Sequence, residues 1–559
     1  MTGSTDDFTT AVDGLPEARP SKVVELADGD EVELRMTPVA KRFGDATVRM
    51  LAYNGSIPGP TLRVREGSEI EVEVVNDGDL EATVHWHGLR LDNRYDGTHE
   101  TQELIPIGGR FSYRLRFPDP GVYWYHPHVR EDYGQELGLY GNILVVPADP
   151  DYWPPAHREL LLTLDDVLIE DGAVAPFSPS ETTYAAMGRF GNVMLVGGET
   201  DLSIEAKRGE VVRFFLTNTA NTRVFNVVLP GARIKLVGGD SGRFEREELV
   251  EAVVLAPSER VVVDVLFDGP GQLTLEHRTP TRTYALATVD VRDEPADPPL
   301  ADRFDVLRAN PELVAERERL APYLDAPPDK TLALDAEMDM GSAEGAEGGY
   351  VCPMHPDVVS ETADRCPKCG MKLVPAAVVA ASAGHGGHGH GGGGRHGHGH
   401  GHGDSHGHGH GHGHGEQAAP SDPALAGIEW EDDMVDVNRL TTASNMRWKL
   451  VDRDTGAVNH EIDWRFRVGG RVKLRLVNET DSDHPMHHPF HVHGAGRFVV
   501  LARDGVAEPN LVWKDTVLVR TGETVDLLLD VTNPGRWMAH CHIAEHHESG
   551  MMLSFDVVP

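Results

Sequence analysis

Gly67-Ser-Glu-Ile-Glu-Val-Glu-Val-Val-Asn76 returns twice in altered form, as Gly209-Glu-Val-Val-Arg-Phe-Phe-Leu-Thr-Asn218 and Gly469-Gly-Arg-Val-Lys-Leu-Arg-Leu-Val-Asn478. Glycine and asparagine stand nine apart each time, and the residues between them are β-branched and partly alternating, which reads as a strand. A second repeat follows each copy: Pro120-Gly121 precedes His126 by six, Pro270-Gly271 precedes Glu276 by six, and Pro534-Gly535 precedes His540 by six. Three related β-domains are therefore expected, built as sandwiches because the strands are short and punctuated by Gly, Pro, Asn and Asp. Their expected limits are 30–148, 156–294, and 329–345 continued by 428–559. The middle domain carries Glu276 and Arg278 where its neighbours carry histidine. Residues 295–328 read as a Pro-rich connector with a short helix near Glu312–Leu320.

Outside these repeats the chain changes character. The 559 residues suffice for three or four domains, and no apolar run is long enough to span a membrane. Met1 to Pro16 shows no basic segment followed by an apolar one, so no export signal is visible and the sequence reads as cytoplasmic. With 89 acidic against 51 basic residues the net charge is −38, which excludes nucleic acid as a partner, because phosphate binding requires a basic face. The third domain is interrupted by 346–427. Its first part, 346–379, is cysteine-bearing. Its second, 380–427, is Gly/His low complexity with 12 histidines between Ala380 and Gly415, too poor in apolar residues to form a core and expected to be a disordered linker.

Ten histidines, one cysteine and one methionine fall into four motifs: His85-Trp86-His87-Gly88, His126-Pro127-His128, His488-Pro489-Phe490-His491-Val492-His493-Gly494, and His540-Cys541-His542 followed by His546 and Met551. Neighbouring side chains of a strand point to opposite faces. Cys541 therefore faces one way and His540 and His542 the other, so one tripeptide can touch two metal centres. A blue-copper centre requires a thiolate, two imidazoles and a weak axial donor. Cys541, His546 and Met551 supply three of these from one loop, and His488 a fourth from a neighbouring strand. The other eight histidines form four His-x-His pairs, two in the first domain and two in the third, which is economical if they share one copper cluster at the interface of those domains.

With these motifs the chain resembles the three-domain bacterial multicopper oxidases, the family of laccases and cuprous oxidases, over about 30–345 and 428–559. The resemblance implies an all-β fold of three cupredoxin-like Greek-key sandwiches. It also implies four copper ions: a type 1 ion on His488, Cys541, His546 and Met551, a type 2 ion on His85 and His491, and a type 3 pair on His87, His126, His128, His493, His540 and His542. Electrons taken singly at type 1 would pass through Cys541 and its flanking histidines to the cluster, where O₂ is reduced to water. Asp96 falls where the family keeps a carboxylate for proton delivery. One departure stands out: cuprous oxidases often carry glutamate after the second type 1 histidine, and this chain has His547, with Glu545 and Glu548 nearby.

The interruption holds Cys352, Met354, His355, Cys366, Cys369 and Met371, a tetrahedral metal pattern in which the sulfur donors tilt the expectation from zinc toward Cu(I). This segment resembles the small heavy-metal-binding domain of copper and silver efflux proteins. The reductant implied is Cu(I), with Met486 where cuprous oxidases place a substrate-copper ligand and Asp483, Met338 and Met340 as further candidates. A laccase acting on phenols or other small organic reductants shares every copper ligand. A copper buffer has no use for a blue site wired to a cluster, and a nitrite reductase does not need the His540/His542 pair.

Overall fold

The computed structural model describes residues 8–342, 348–383 and 425–559. Each repeat is a strand of a two-sheet sandwich, and the three sandwiches repeat one another's topology. Glu31–Phe43 pairs in parallel with Glu69–Asn76, Arg158–Val167 with Glu210–Asn218, and Lys330–Met338 with Arg471–Asn478. On the other side each repeat strand pairs antiparallel, with Arg110–Arg116, Arg260–Phe267 and Thr524–Val531 respectively. The facing sheets carry the motif strands. Val84–His87 pairs with Gly121–Pro127 in the first domain, and His488–Val492 with Gly535–Cys541 in the third.

The two fixed residues of the repeat have separate physical roles. Gly67, Gly209 and Gly469 all have positive φ, at 85°, 78° and 81°, in the tight turn that launches the strand. At the other end Asn76, Asn218 and Asn478 are buried and pin the loop beyond the strand. Asn76 donates to the carbonyls of Leu80 and Ile105, Asn218 to those of Arg223 and Leu255, and Asn478 to those of Met486 and Val519. Buried backbone carbonyls left unpaired are costly, so the amide that satisfies two at once fixes where each sheet turns over.

Outer and middle copies differ in burial for a visible reason. Glu69–Asn76 alternates between partly exposed and buried positions, whereas every residue of Glu210–Asn218 is buried. The middle sheet packs inward through Val212, Phe214 and Leu216 and outward through Phe215, which joins Val122 and Leu144 of the first domain. That is why its sequence is nearly continuously apolar. The one cation in the strand Glu210–Asn218, Arg213, is paired with Asp264 at 2.8 Å.

Three expected limits shift. The first domain begins before residue 30: Val23–Glu25 pairs with Thr61–Arg65, and Phe8 stacks on Tyr133 with centroids 4.1 Å apart. A three-residue strand carries no periodicity by which to find it. The connector holds a longer helix, Pro311–Leu324, started by Asn310 capping the Glu312 amide and fixed by Leu313 and Leu320 against Val499 and Trp513 of the third domain. In the interruption, short strands at Tyr350–Val351, Val359–Ser360 and Val374–Pro375 form a small sheet, and helix Ala376–Ala383 crosses the expected limit at 379, because its Ala/Val run favours helix. The Gly/His tract from 384 to 424 lies outside the described residues.

Replacing Asn218, remote from every motif histidine in sequence, by alanine leaves two buried carbonyls unpaired. It is expected to destabilise the protein by about 2 kcal/mol. An unchanged urea midpoint for Asn218→Ala would show that the repeat asparagine is not the clasp described.

Candidate metal centre

The four motifs converge. The strand Gly535–Cys541 places the Cys541 sulfur 3.5 Å from His488 Nδ1 and 3.7 Å from His546 Nδ1, and those two nitrogens are 3.4 Å apart. All three side chains are buried. The helical turn Ala544–Glu548 brings His546 back to the thiol, and Met551 closes the same loop, its carbonyl accepting from the Cys541 amide and its own amide donating to the His546 carbonyl. Trp448 stacks on His546 at 3.9 Å and meets His488 edge-on at 4.9 Å. Burial pushes the Cys541 thiol up, while the Ile543 amide donates to its sulfur at 3.4 Å.

His540 and His542 look the other way, into a nest of eight imidazoles. The nitrogens of His87, His126 and His542 lie within 4.8 Å of one another, as do those of His128, His493 and His540, and those of His85, His87 and His491. Residues of the first and third domains are thus interleaved in each group. Most of these rings commit one nitrogen outward. His85 Nδ1 donates to the Asp96 carbonyl at 2.7 Å, His126 Nδ1 to the Pro127 carbonyl at 2.8 Å, His491 Nδ1 to the Asp515 carbonyl at 2.9 Å and His540 Nδ1 to the Cys541 carbonyl at 2.9 Å. His493 Nδ1 is 2.9 Å from an Asp96 carboxylate oxygen. Among the described residues, His85 Nε2, His87 Nδ1, His126 Nε2, His128 Nδ1, His491 Nε2 and both nitrogens of His542 have no hydrogen-bond partner. Burial pulls His85 down to about 4 and the other seven well below the usual histidine range. Neutral imidazoles with one nitrogen anchored and the other free are the ligand form of histidine. The donor chemistry of both groups, N₂S and all-imidazole, fits copper.

Several residues that support the nest have no motif to announce them. Asp515 lies 3.0 Å from His87 Nε2 and is gripped by Arg260 of the middle domain through contacts of 2.6 and 2.5 Å. Glu131, fully buried, sits 3.2 Å from His128 Nε2 and 3.6 Å from His547 Nδ1. The His547 ring is 4.5 Å from that of His540. The middle domain's Glu276 and Arg278 pair with each other at 2.7 Å.

Other predicted residues are placed differently. Cys352, His355, Cys366 and Cys369 converge in the interruption, with the Cys352 sulfur 3.7 Å from both His355 Nδ1 and the Cys369 sulfur. Hydrogen bonds from Cys369 and His355 hold Cys352 down to about 5. Met354 and Met371 pack against the core shared with the third domain. Asp483 is not a free carboxylate: it accepts from Lys372 Nζ at 2.9 Å, Arg365 at 3.2 Å and the Met338 amide at 3.1 Å. Met338 is core, Met340 half-buried beside it, and Met486 wholly buried. No motif marks His484 and Met187, whose Nε2 and Sδ lie 3.2 Å apart.

Known proteins share this architecture. Family models described as "Multicopper oxidase" match 23–150 and 431–559, and one described as "Heavy metal binding domain" matches 350–376. Multicopper oxidase MmcO of Mycobacterium tuberculosis is 24% identical over 99% of this chain and 91% of its own. The copper resistance protein A homolog of Pseudomonas syringae pv. tomato is 24% identical over 96% and 92%. A laccase-like multi-copper oxidase from Ochrobactrum sp., described as active towards lignin model compounds, superposes with a TM-score of 0.64 over 97% of this chain and all of its own, at 20% identity. The chain belongs to the multicopper oxidases. It is an oxygen-dependent, copper-containing oxidoreductase, and among the described residues no helix is long and apolar enough to cross a membrane.

Asp515→Asn keeps the shape but weakens the grip on His87. Orienting partners of ligand histidines are worth about 10–100-fold in metal affinity or activity. The variant is expected to lose copper from the eight-histidine nest and O₂ reduction in that range, with the blue absorption of the Cys541 centre kept. Full copper stoichiometry at wild-type turnover would refute the role.

Proposed function

We propose that this oxidase takes its electrons from Cu(I): four Cu(I) are oxidised to Cu(II) while one O₂ and four protons become two waters, a copper-detoxifying reaction. In this reading His488, Cys541, His546 and Met551 hold one resident type 1 copper. His85 and His491 hold a type 2 copper, and His87, His126, His128, His493, His540 and His542 a type 3 pair. The resident ions supply one-electron acceptance at the thiolate and oxygen binding in the nest. The chain's own contribution is to hold thiolate and imidazoles at fixed separation, to join the two groups through the Cys541 backbone, and to keep both dry.

The observation that carries the choice of Cu(I) is the His484–Met187 pair. A thioether sulfur, the soft donor that Cu(I) favours, stands 3.2 Å from an imidazole nitrogen, a donor copper also accepts. His484 is buried, its Nδ1 has no hydrogen-bond partner among the described residues, and burial lowers its pKa to about 4, which keeps the ring neutral. Its ring lies 5.9 Å from that of Trp448, the indole that also touches His488 and His546. This pair thus stands one indole ring from the imidazoles beside the Cys541 sulfur. Met486 belongs to the same buried cluster as Met187, while Asp483 is committed to Lys372 and Arg365. A copper-resistance homolog among the relatives supports this reading. The likeness to a laccase-like oxidase keeps phenols as the second reading.

Oxygen uptake with Cu(I) or a methoxyphenol, under the same conditions, decides between them. Met187→Leu removes one soft donor without changing volume much, and is expected to lower kcat/KM for Cu(I) by about tenfold, or 1.4 kcal/mol, while methoxyphenol oxidation persists. Equal losses on both reductants, or none on Cu(I), would defeat the assignment.

A further inference from the structure

The cysteine-bearing insertion is seated on the segment that leads into His488. Residues 479–487 join strand Arg471–Asn478 to strand His488–Val492 and carry both His484 and Met486. The Lys372 amide donates to the Asp483 carbonyl at 2.9 Å, and its ammonium reaches the Asp483 carboxylate at 2.9 Å and the Met338 carbonyl at 2.8 Å. Arg365 donates to the other Asp483 oxygen at 3.2 Å and to the Ser482 carbonyl. Gly370 lies so close that a Cβ there would stand 3.3 Å from the Thr480 carbonyl oxygen. Asp483 in turn is tied into the third domain, its amide donating to the Ala336 carbonyl at 3.1 Å.

These contacts come from the metal-type knuckle itself. Arg365 immediately precedes Cys366, and Lys372 follows Cys369 by three. The knuckle closes through Gly370 N–H to the Cys366 carbonyl and Cys366 N–H to the Met371 carbonyl, each at 2.8 Å. Its four donors converge as described above. Among the described residues the rest of the insertion offers three two-residue strands and one eight-residue helix. A unit below about 40 residues seldom buries enough to fold alone and leans on a metal or crosslink. Binding energy at such a site is folding energy. Ion occupancy therefore fixes the knuckle, the knuckle fixes Arg365 and Lys372, and these fix Asp483 and the segment ahead of His488.

We propose that Cys352, His355, Cys366 and Cys369 bind a thiophilic d¹⁰ cation, Zn(II) or Cu(I), that acts as a lock: when it is bound, the insertion is latched through Asp483 onto 479–487, and this latch sets which reductants reach the Cys541 centre. With the lock in place, bulky organic molecules are kept from the segment and a small ion retains access. The lock does not depend on which reductant is physiological. Only its consequence for Cu(I) rests on the reading above.

The test uses copper-loaded full-length enzyme. Amide exchange of the 479–487 peptide and oxygen uptake with Cu(I) and with a methoxyphenol are compared in wild type, Cys366→Ser/Cys369→Ser and Asp483→Ala. Both variants are expected to exchange at 479–487 faster by about tenfold or more, the local opening cost having dropped by at least 1.4 kcal/mol. Both should oxidise methoxyphenol severalfold faster, with the blue band retained. Asp483→Ala should do so with its insertion metal still bound by elemental analysis, which separates latch from ligand set. It also carries the test if the cysteine variant fails to fold. Wild type stripped by chelator and given Zn(II) alone or Cu(I) alone regains protection with the ion that serves as the lock. Unchanged exchange in Asp483→Ala, or unchanged methoxyphenol oxidation once exchange has risen, overturns the latch. Protection regained with neither ion overturns the lock. If wild type oxidises no Cu(I), the Cu(I) reading fails while the exchange result still decides the latch.

Discussion

The alternation of side chains along one strand is the constraint on which the rest depends. Because Cys541 must face away from His540 and His542, the thiol and the two imidazoles are committed to different compartments of the third domain. The distance between those compartments is set by a single peptide rather than by packing. Everything else is arranged to bring donors to both sides of that strand. His488 and His491, on the neighbouring strand and in register with it, send one ring to each group. The first domain, whose own His-x-His strands pair as Val84–His87 with Gly121–Pro127, closes the nest from outside. A cluster assembled from two domains exists only when they are docked, so its integrity reports on the whole chain.

The middle domain lacks the His-x-His pairs of its neighbours but shares in both centres. Arg260 reaches from it to Asp515, the carboxylate that orients His87 and whose backbone carbonyl orients His491. A guanidinium with no exposure to solvent would be very costly unpaired. Here it has Asp515 at two contacts, the Val122 carbonyl of the first domain at 3.0 Å and Asp240 at 3.7 Å, so one buried cation ties three domains at the point where the nest needs rigidity. Met187 comes from the middle domain as well, on the side of the Cys541 centre. The domain without the motif pairs thus reaches both centres.

What the sequence revealed follows how local each constraint is. The repeat glycine and asparagine were legible because a left-handed turn and a strand-end clasp are demands of a few consecutive residues. The convergent histidines and thiol were legible as motifs because strand alternation imposes the His-x-His spacing. Asp515 and Arg260 were not, since each is one residue in an unremarkable context and its meaning lies in a partner 255 positions away. Met187 and Trp448 were hidden for the same reason. Asp483, an acid beside a histidine motif, reads as a ligand candidate in the sequence, which gives no sign that Lys372 and Arg365 of a distant insertion hold it. The start of the first domain was missed because three residues carry no period.

Charge settles why the nest is poised for a cationic group. Eight neutral imidazoles contribute no charge, yet Asp96, Asp515 and Glu131 are buried against them. Only Asp515 has a guanidinium. Asp96 and Glu131 are pushed well above the usual carboxylate range by burial, with Glu100 and Glu548 respectively adding like charge. Neither Glu131 oxygen has a hydrogen-bond partner among the described residues. A fold optimised for stability alone would place apolar residues there, because an ionised group in a dry interior is penalised heavily. Carboxyls kept beside imidazoles whose free nitrogens converge make physical sense when positive charge resides among them, lowering the cost of ionising those carboxyls.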